Sequence, residues 1–257
     1  MISKTKLKEL SAYKTQKICD MDDVFTVEGV KMCDEALKSD FTIRTICSTH
    51  EWLEANAQVI GAREGGMMVY EVSETELERI SDQKTPNQVW MLLQRKHETH
   101  KMPDTESAPS PLTLVLDTLQ NPGNLGTIIR TADWFGIRNI VCSPNTVSCY
   151  NPKVVQSTMG SIFRTHIVYT DLSEFLSQCR EQGMEIYGAM LNGDNIYQSD
   201  IHAANSVLVI GNESKGITPE VQNYVSKRLL IPNMGGTCES LNASVAAAIM
   251  CSELIRR

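Results

Sequence analysis

The sequence predicts an α/β protein: a C-terminal, mostly parallel sheet with helices on both faces, preceded by a smaller α/β unit. Three observations lead there. From residue 112 onward, short apolar runs alternate with helix-like segments, the rhythm of a parallel sheet with helical crossovers. Residues 97–111 hold three prolines and almost no apolar side chains, a linker composition that parts the halves. The last helical run carries Ala243, Ser244, Ala246, Ala247 and Ala248, so little bulk on any face that it must lie very close to another element.

Taken in order, residues 1–96 read as mixed α and β. Val24–Val27, Met67–Val72 and Gln88–Leu93 have strand-like apolar content, while Glu28–Leu37 and Glu74–Ile80 are helix-like. In residues 112–257 the strand-like runs are Leu112–Leu119, Asn139–Cys142, His166–Tyr169, Glu185–Leu191, Val207–Ile210 and Leu229–Ile231. Between them lie helix-like segments at Leu125–Phe135, Lys153–Ser161, Leu172–Gln182 and Pro219–Ser226. The small-residue helix closes the chain, with Ser240 as a good N-cap residue.

Bulk properties exclude several classes. No stretch approaches the roughly 18 apolar residues of a membrane span. Met1 to Lys17 has lysines but no apolar signal core, which predicts a cytoplasmic protein. The eight cysteines contain no Cys-x-x-Cys pair and read as reduced thiols. His97 and His100 are three apart in a polar stretch with no matching second pair, so no metal site is expected. The net charge of −7 argues mildly against a nucleic-acid partner. Lys4, Lys6, Lys8, Lys14 and Lys17, against Glu9 alone, still make a local basic stretch, which a solvated helix face explains equally well.

Ligands of open α/β sheets bind beyond the carboxyl ends of the strands, so the loops after strands matter most. The first is Asn121-Pro122-Gly123-Asn124-Leu125-Gly126, running into Thr127-Ile128-Ile129-Arg130. Leu125, Ile128, Ile129, Ala132 and Phe135 make one apolar stripe, and Arg130 falls opposite, one turn into the helix. A cation beside a loop rich in N–H donors suits a phosphate. The spacing matches neither the dinucleotide fingerprint nor a Walker A loop. The second loop is Gly211-Asn212-Glu213-Ser214-Lys215-Gly216, where Glu213 is either a solvated acid or a partner for a cation such as Arg130. The third runs from Ile231-Pro232 through Gly235-Gly236 to Glu239-Ser240-Leu241-Asn242.

These three motifs resemble those of the SpoU (TrmH-type) branch of the SPOUT RNA 2′-O-ribose methyltransferases. Tyr150-Asn151-Pro152-Lys153-Val154-Val155 and Met159-Gly160 are similar to that family too. The N-terminal unit resembles the RNA substrate-binding domain of its rRNA-modifying members, through Val24-Phe25-Thr26-Val27-Glu28-Gly29 and Ser81-Asp82-Gln83-Lys84-Thr85-Pro86. The resemblance implies domains at 1–96 and 112–257, the second with a deep trefoil knot that cradles S-adenosylmethionine (AdoMet) and packs into a homodimer. By position, Gly211, Ile231 and Leu241 would hold the cofactor, and Asn124, Arg130, Glu213, Ser240 and Asn242 would form the reaction site. Arg130 would anchor phosphate and activate electrostatically, since guanidinium groups stay protonated. Asn124 would orient Arg130 or the nucleotide, and Ser240 and Asn242 would position the ribose.

Three departures stand out. The Ile231–Leu241 loop is one residue longer than in many relatives, Gln156 replaces a frequent arginine, and Gln16–Asp23 is acidic where a basic stretch is usual. The leading expectation is a large-subunit rRNA 2′-O-methyltransferase; the alternatives are a tRNA enzyme of the same chemistry and a non-catalytic ribosome-assembly factor of the same fold.

Overall fold

The computed structural model describes residues 2–63, 66–96 and 110–256. The expected linker at 97–111 falls almost wholly outside the described residues, as do His97 and His100. The chain divides into two compact units: Met1–Lys96 with Tyr150–Phe163, and His97–Cys149 with Arg164–Arg257. Tyr150–Phe163 therefore groups with the N-terminal unit, although the sequence reads 112–257 as one domain.

The first unit contains α1 (Lys4–Ser11), α2 (Gln16–Met21), β1 (Val24–Glu28), α3 (Val30–Lys38), β2 (Ile43–Ser48), α4 (His50–Ala62), β3 (Met68–Glu71), α5 (Glu74–Ile80) and β4 (Val89–Gln94). Its sheet order is β1-β4-β2-β3, with β4 antiparallel to both neighbours and β3 parallel to β2. Four of these elements have weak sequence signals: α1, α2, β2 and α4. α4 buries only Trp52, so it shows no apolar stripe. β2 places Thr45 in the core and Arg44 outside, which breaks up its apolar run. By contrast α5 opens on a full capping box: Ser73 Oγ accepts from Glu76 N, and Glu76 accepts from Ser73 N.

An aromatic cluster explains where Tyr150–Phe163 belongs. Phe25 on β1 is 1 % exposed, with the Tyr150 ring 4.7 Å away and Phe41 at 5.7 Å. Phe163 meets Phe41 edge-on at 5.4 Å. Rings at such distances add to the large area each one buries. The Tyr150 hydroxyl also bonds to the backbone of Lys96. α7 (Pro152–Thr158) lies between these two rings in sequence and packs on β1. The acidic departure is absorbed within the same unit: Asp20 pairs with Arg95 at 2.6 Å, and Asp22 accepts from the Tyr13 hydroxyl at 2.8 Å.

The second unit contains β5 (Thr113–Leu116), α6 (Pro122–Trp134), β6 (Asn139–Cys142), β7 (His166–Tyr169), α8 (Leu172–Glu181), β8 (Glu185–Asn195), β9 (Ser206–Ile210), α9 (Pro219–Gln222), β10 (Lys227–Leu230) and α10 (Ala243–Arg256). The sheet order is β10-β8-β9-β5-β6-β7, and every pairing is parallel. β5 and β9 are buried at every residue, as central strands covered on both faces must be. α9 is shorter than the expected Pro219–Ser226, because turns at Tyr224 and Val225 carry the chain back to the sheet at Ser226. α10 packs on α6, with Ala243, Ala247, Met250, Cys251 and Leu254 buried. Its small side chains allow that approach.

Candidate active site

The three loops singled out in the sequence leave the carboxyl ends of β5, β9 and β10, the ligand-binding edge of a parallel sheet. The first is seated firmly. Thr118 adopts the left-handed region (φ 55°), and its N–H donates to Ser143 Oγ at 2.8 Å. Leu119 donates to Thr146 Oγ1 and accepts from Val147 N at 2.9 Å. Asn121 then caps α6: its Oδ1 accepts from Gly123 N (2.8 Å) and Asn124 N (3.2 Å). Pro122 occupies the first turn, where no N–H is needed.

The second loop folds back on itself. Asn212 and Gly216 exchange backbone hydrogen bonds at 2.9 Å in both directions. A Cβ on Gly211 would lie 2.2 Å from the Gly216 carbonyl carbon, so only glycine fits there. Gly211, which by position would hold the cofactor, is thus demanded by the loop's own backbone.

The third loop, 231–242, contains no helix or strand, and Pro232 to Cys238 is tied mainly by Asn233. Asn233 Oδ1 accepts from Gly235 N and Gly236 N, and Nδ2 donates to the Gly236 and Cys238 carbonyls. Among the described residues, no backbone–backbone hydrogen bond outside the regular elements involves Pro232 to Leu241. Ile231 is half-buried, and Leu241 is 49 % exposed.

The loops meet through one chain of hydrogen bonds. Asn242 Nδ2 donates to Asn124 Oδ1 at 2.9 Å, and Asn124 Nδ2 donates to Glu213 Oε1 at 2.9 Å. Asn121 N donates to the same carboxylate oxygen at 3.0 Å, and Gln120 N to Oε2 at 3.4 Å. At its other end Asn242 Oδ1 accepts from Ser244 N (2.9 Å) and Val245 N (3.4 Å). Both amides have a defined orientation, since each spends an oxygen and a nitrogen on a different partner. Burial raises the Glu213 pKa, but the donors from Asn124, Asn121 and Gln120 outweigh it and leave the carboxyl below its ordinary value. Glu213 is therefore an ionised acceptor at neutral pH, and Oε2 keeps the more open geometry.

Three expectations change. Glu213 makes no ion pair with Arg130; its partners are amides and backbone N–H groups. The reason is local: Asn124 lies buried at the start of α6, whereas Arg130 is exposed two turns further along. Asn124, correspondingly, bridges Glu213 and Asn242 rather than orienting Arg130. The cap of α10 is Asn242 rather than Ser240, which is exposed and offers its carbonyl to the Cys238 thiol at 3.1 Å. Among the described residues, neither the Arg130 nor the Ser240 side chain is hydrogen-bonded to the junction.

Sequence reasoning passed over Asn121, Asn212 and Asn233. Each accepts from the N–H groups two and three residues on, as Asn242 does. The available signal was asparagine at a strand exit followed within four residues by glycine, an Asx-turn pattern.

Known proteins share both halves. Residues 111–252 match the SpoU rRNA methylase family, and residues 4–90 match the MRM3-like substrate binding domain. The chain is 30 % identical to the 23S rRNA (guanosine(2553)-2'-O)-methyltransferase RlmP of Bacillus subtilis, over 97 % of this chain and 95 % of that one. It superposes on an RNA methyltransferase of the TrmH family from Porphyromonas gingivalis with a TM-score of 0.88 and 35 % identity, covering 100 % of this chain and 99 % of that one. An AdoMet-bound rRNA methyltransferase from Sinorhizobium meliloti gives a TM-score of 0.86 at 30 % identity, covering 100 % and 97 %. With the family match spanning more than half its length and a relative aligned nearly end to end, the chain belongs to the SpoU rRNA methylase family.

Proposed function

We propose that the protein is an AdoMet-dependent methyltransferase acting on a ribose 2′-oxygen of ribosomal RNA, in the cytoplasm and as a homodimer built on its knotted C-terminal half. The observation that carries this reading is the junction at the strand ends, where Asn242, Asn124 and Glu213 join three loops into one preorganised polar site. The match of residues 4–90 to a substrate-binding domain favours ribosomal RNA over tRNA.

The residues present fit the cofactor. Within loop 231–242 the backbone groups of Thr237, Glu239 and Leu241 form no hydrogen bond among the described residues, beside the exposed apolar side chains of Leu241 and Met234. Those are the groups that recognise a purine edge and cover its faces. When bound, AdoMet supplies a sulfonium methyl. Ile231 and Leu241 would hold it through backbone groups at either end of the loop, with Gly211 keeping the adjacent loop tight.

The chain itself handles the nucleophile. A ribose hydroxyl attacks well only as its proton leaves. Glu213 is held ionised, so its more open Oε2 suits accepting a hydrogen bond from a ribose hydroxyl. Depressed basicity makes it a poor proton sink, so the hydroxyl proton would leave to solvent water. Arg130, exposed and without an ion pair or hydrogen bond among the described residues, would anchor an RNA phosphate and stabilise charge growing on the oxygen. Ser240 contributes an exposed hydroxyl for the ribose. Asn242 has its Oδ1 filled by the helix cap and acts through Asn124, keeping one amide proton for substrate.

Mass-spectrometric mapping of ribose methylation in RNA from cells with and without this gene tests the reading. A single mark lost from large-subunit rRNA is the expected result. A mark lost from tRNA would move the substrate, and no lost mark would favour an assembly factor of the same fold.

A further inference from the structure

We propose that Asn212 is a positioning residue for the reaction, tying the turn that carries Glu213 to the loop after β5. The side chain does two separate jobs. Its Oδ1 accepts from Ser214 N (3.0 Å) and Lys215 N (3.1 Å), which closes the turn around Glu213. Its Nδ2 donates to the Thr118 carbonyl at 2.7 Å. Thr118 is the left-handed residue whose own N–H is held by Ser143, and two residues later begin the N–H groups of Gln120 and Asn121 that reach the carboxylate. The Glu213 turn and the donors it needs are therefore registered by a second tie, independent of Asn124.

The competing role is a turn former that matters only for folding. Geometry separates the two. A turn former needs only the Oδ1 bonds, whereas the bond to Thr118 spans 94 residues of sequence and joins two of the three loops. The groups around Glu213 are neutral donors, with no ion pair to it among the described residues; Lys215, two residues on, is exposed. A slackened register would thus be felt at Glu213 as lost hydrogen bonds and a harder ionisation.

This inference rests on the methyl-transfer reading, and its test has an arm that does not. In the full-length protein with ¹³C-labelled glutamate, the Glu213 carboxyl is assigned by its absence in Glu213→Gln and followed against pH. Asn212→Ala should raise its titration midpoint by roughly one pH unit. Turnover on ribosomal RNA extracted from cells lacking the gene should fall roughly tenfold or more in kcat, at near-constant KM for AdoMet. Asn212→Ser keeps a turn-closing acceptor but cannot reach Thr118. It should show the same two changes, and it serves if the alanine variant fails to fold. A wild-type titration midpoint in either folded variant overturns the proposal, as does an unchanged kcat beside active wild type. If wild type itself transfers no methyl group, the functional reading fails, and the titration alone still judges Asn212.

Discussion

The two units use the same charged residue types in opposite ways. In the first, Arg63 donates to the carbonyls of Ala36, Ser39 and Phe41 at 3.4, 3.0 and 2.7 Å, closing the end of α3. In the second, Arg130 stands exposed without such partners. The glutamates make the contrast sharper. Glu28, at the end of β1, accepts from Ser81 Oγ and from Asp82 N at 3.0 Å. Glu213, just past the end of β9, likewise accepts from one side chain and from backbone N–H groups. Burial dominates at Glu28 and raises its pKa, whereas the donors win at Glu213 and lower it. Glu28 is 9 % exposed; Glu213 lies at a loop junction with more room. Similar bonding thus leaves one carboxyl raised and the other depressed, and the degree of burial decides which.

The largest effect expected from this contrast is at Arg130. Arg130→Ala lowers methyl transfer by roughly 10²-fold or more, the low end for a positioned catalytic group. AdoMet affinity and the unfolding midpoint stay near wild type, because the side chain holds nothing else in place. Equal losses of turnover and cofactor binding would assign it a structural role and erase the contrast with Arg63.

Glu28→Ala comes next, and its effect is on stability. Removing the side-chain carboxyl leaves the buried Ser81 hydroxyl without its acceptor, a loss of about 1–3 kcal/mol. Urea denaturation reads it, while AdoMet affinity does not move. A variant as stable as wild type would mean that water replaces the carboxyl and that its bonds are dispensable.

The fold was most legible where apolar periodicity was strongest. The strands at 139–142 and 166–169 match the expected bounds, as does the helix Glu74–Ile80. α4 escaped notice because almost nothing on it is buried. The membership of Tyr150 and Phe163 in the first unit was illegible for another reason: ring packing across more than a hundred residues leaves no trace in local pattern. At the site, motif resemblance picked out Asn124, Glu213 and Asn242, which the fold brings into direct contact. Their order in the chain of hydrogen bonds was not readable, since it depends on which amide atom faces which loop. Ser240 and Asn242 both have cap-forming side chains, and only the backbone path decides between them.

The pH dependence of stability distinguishes the two glutamates with opposite signs. Glu213, depressed below its ordinary value of 4.5, stabilises the folded chain above that pH, and the contribution is lost as pH falls through the lower folded value. Glu28 is raised above 4.5, so its folded state holds the extra proton, and its contribution falls as pH rises through that window. Denaturation across acidic to neutral pH checks both. Relative to wild type, Glu28→Gln gains stability as pH rises above 4.5, and Glu213→Gln loses it as pH climbs toward 4.5. Parallel curves for the two variants would remove the distinction between the two carboxyls.

The smallest stability effect belongs to Ser240, and it bears on which residue starts α10. Asn242 accepts from Ser244 N and Val245 N, so Asn242→Ala loses a cap, about 1 kcal/mol, together with the link to Asn124. Ser240 is exposed and outside the cap, so Ser240→Ala shifts stability by no more than about 0.5 kcal/mol. Its turnover falls all the same if the hydroxyl meets the ribose, and the loss lies in kcat or in KM for RNA while AdoMet affinity holds. Unchanged turnover would take Ser240 out of the site and leave the chemistry to Asn124, Arg130, Glu213 and Asn242. A large stability loss would return the cap to Ser240, because an exposed hydroxyl with no structural partner has nothing else to lose.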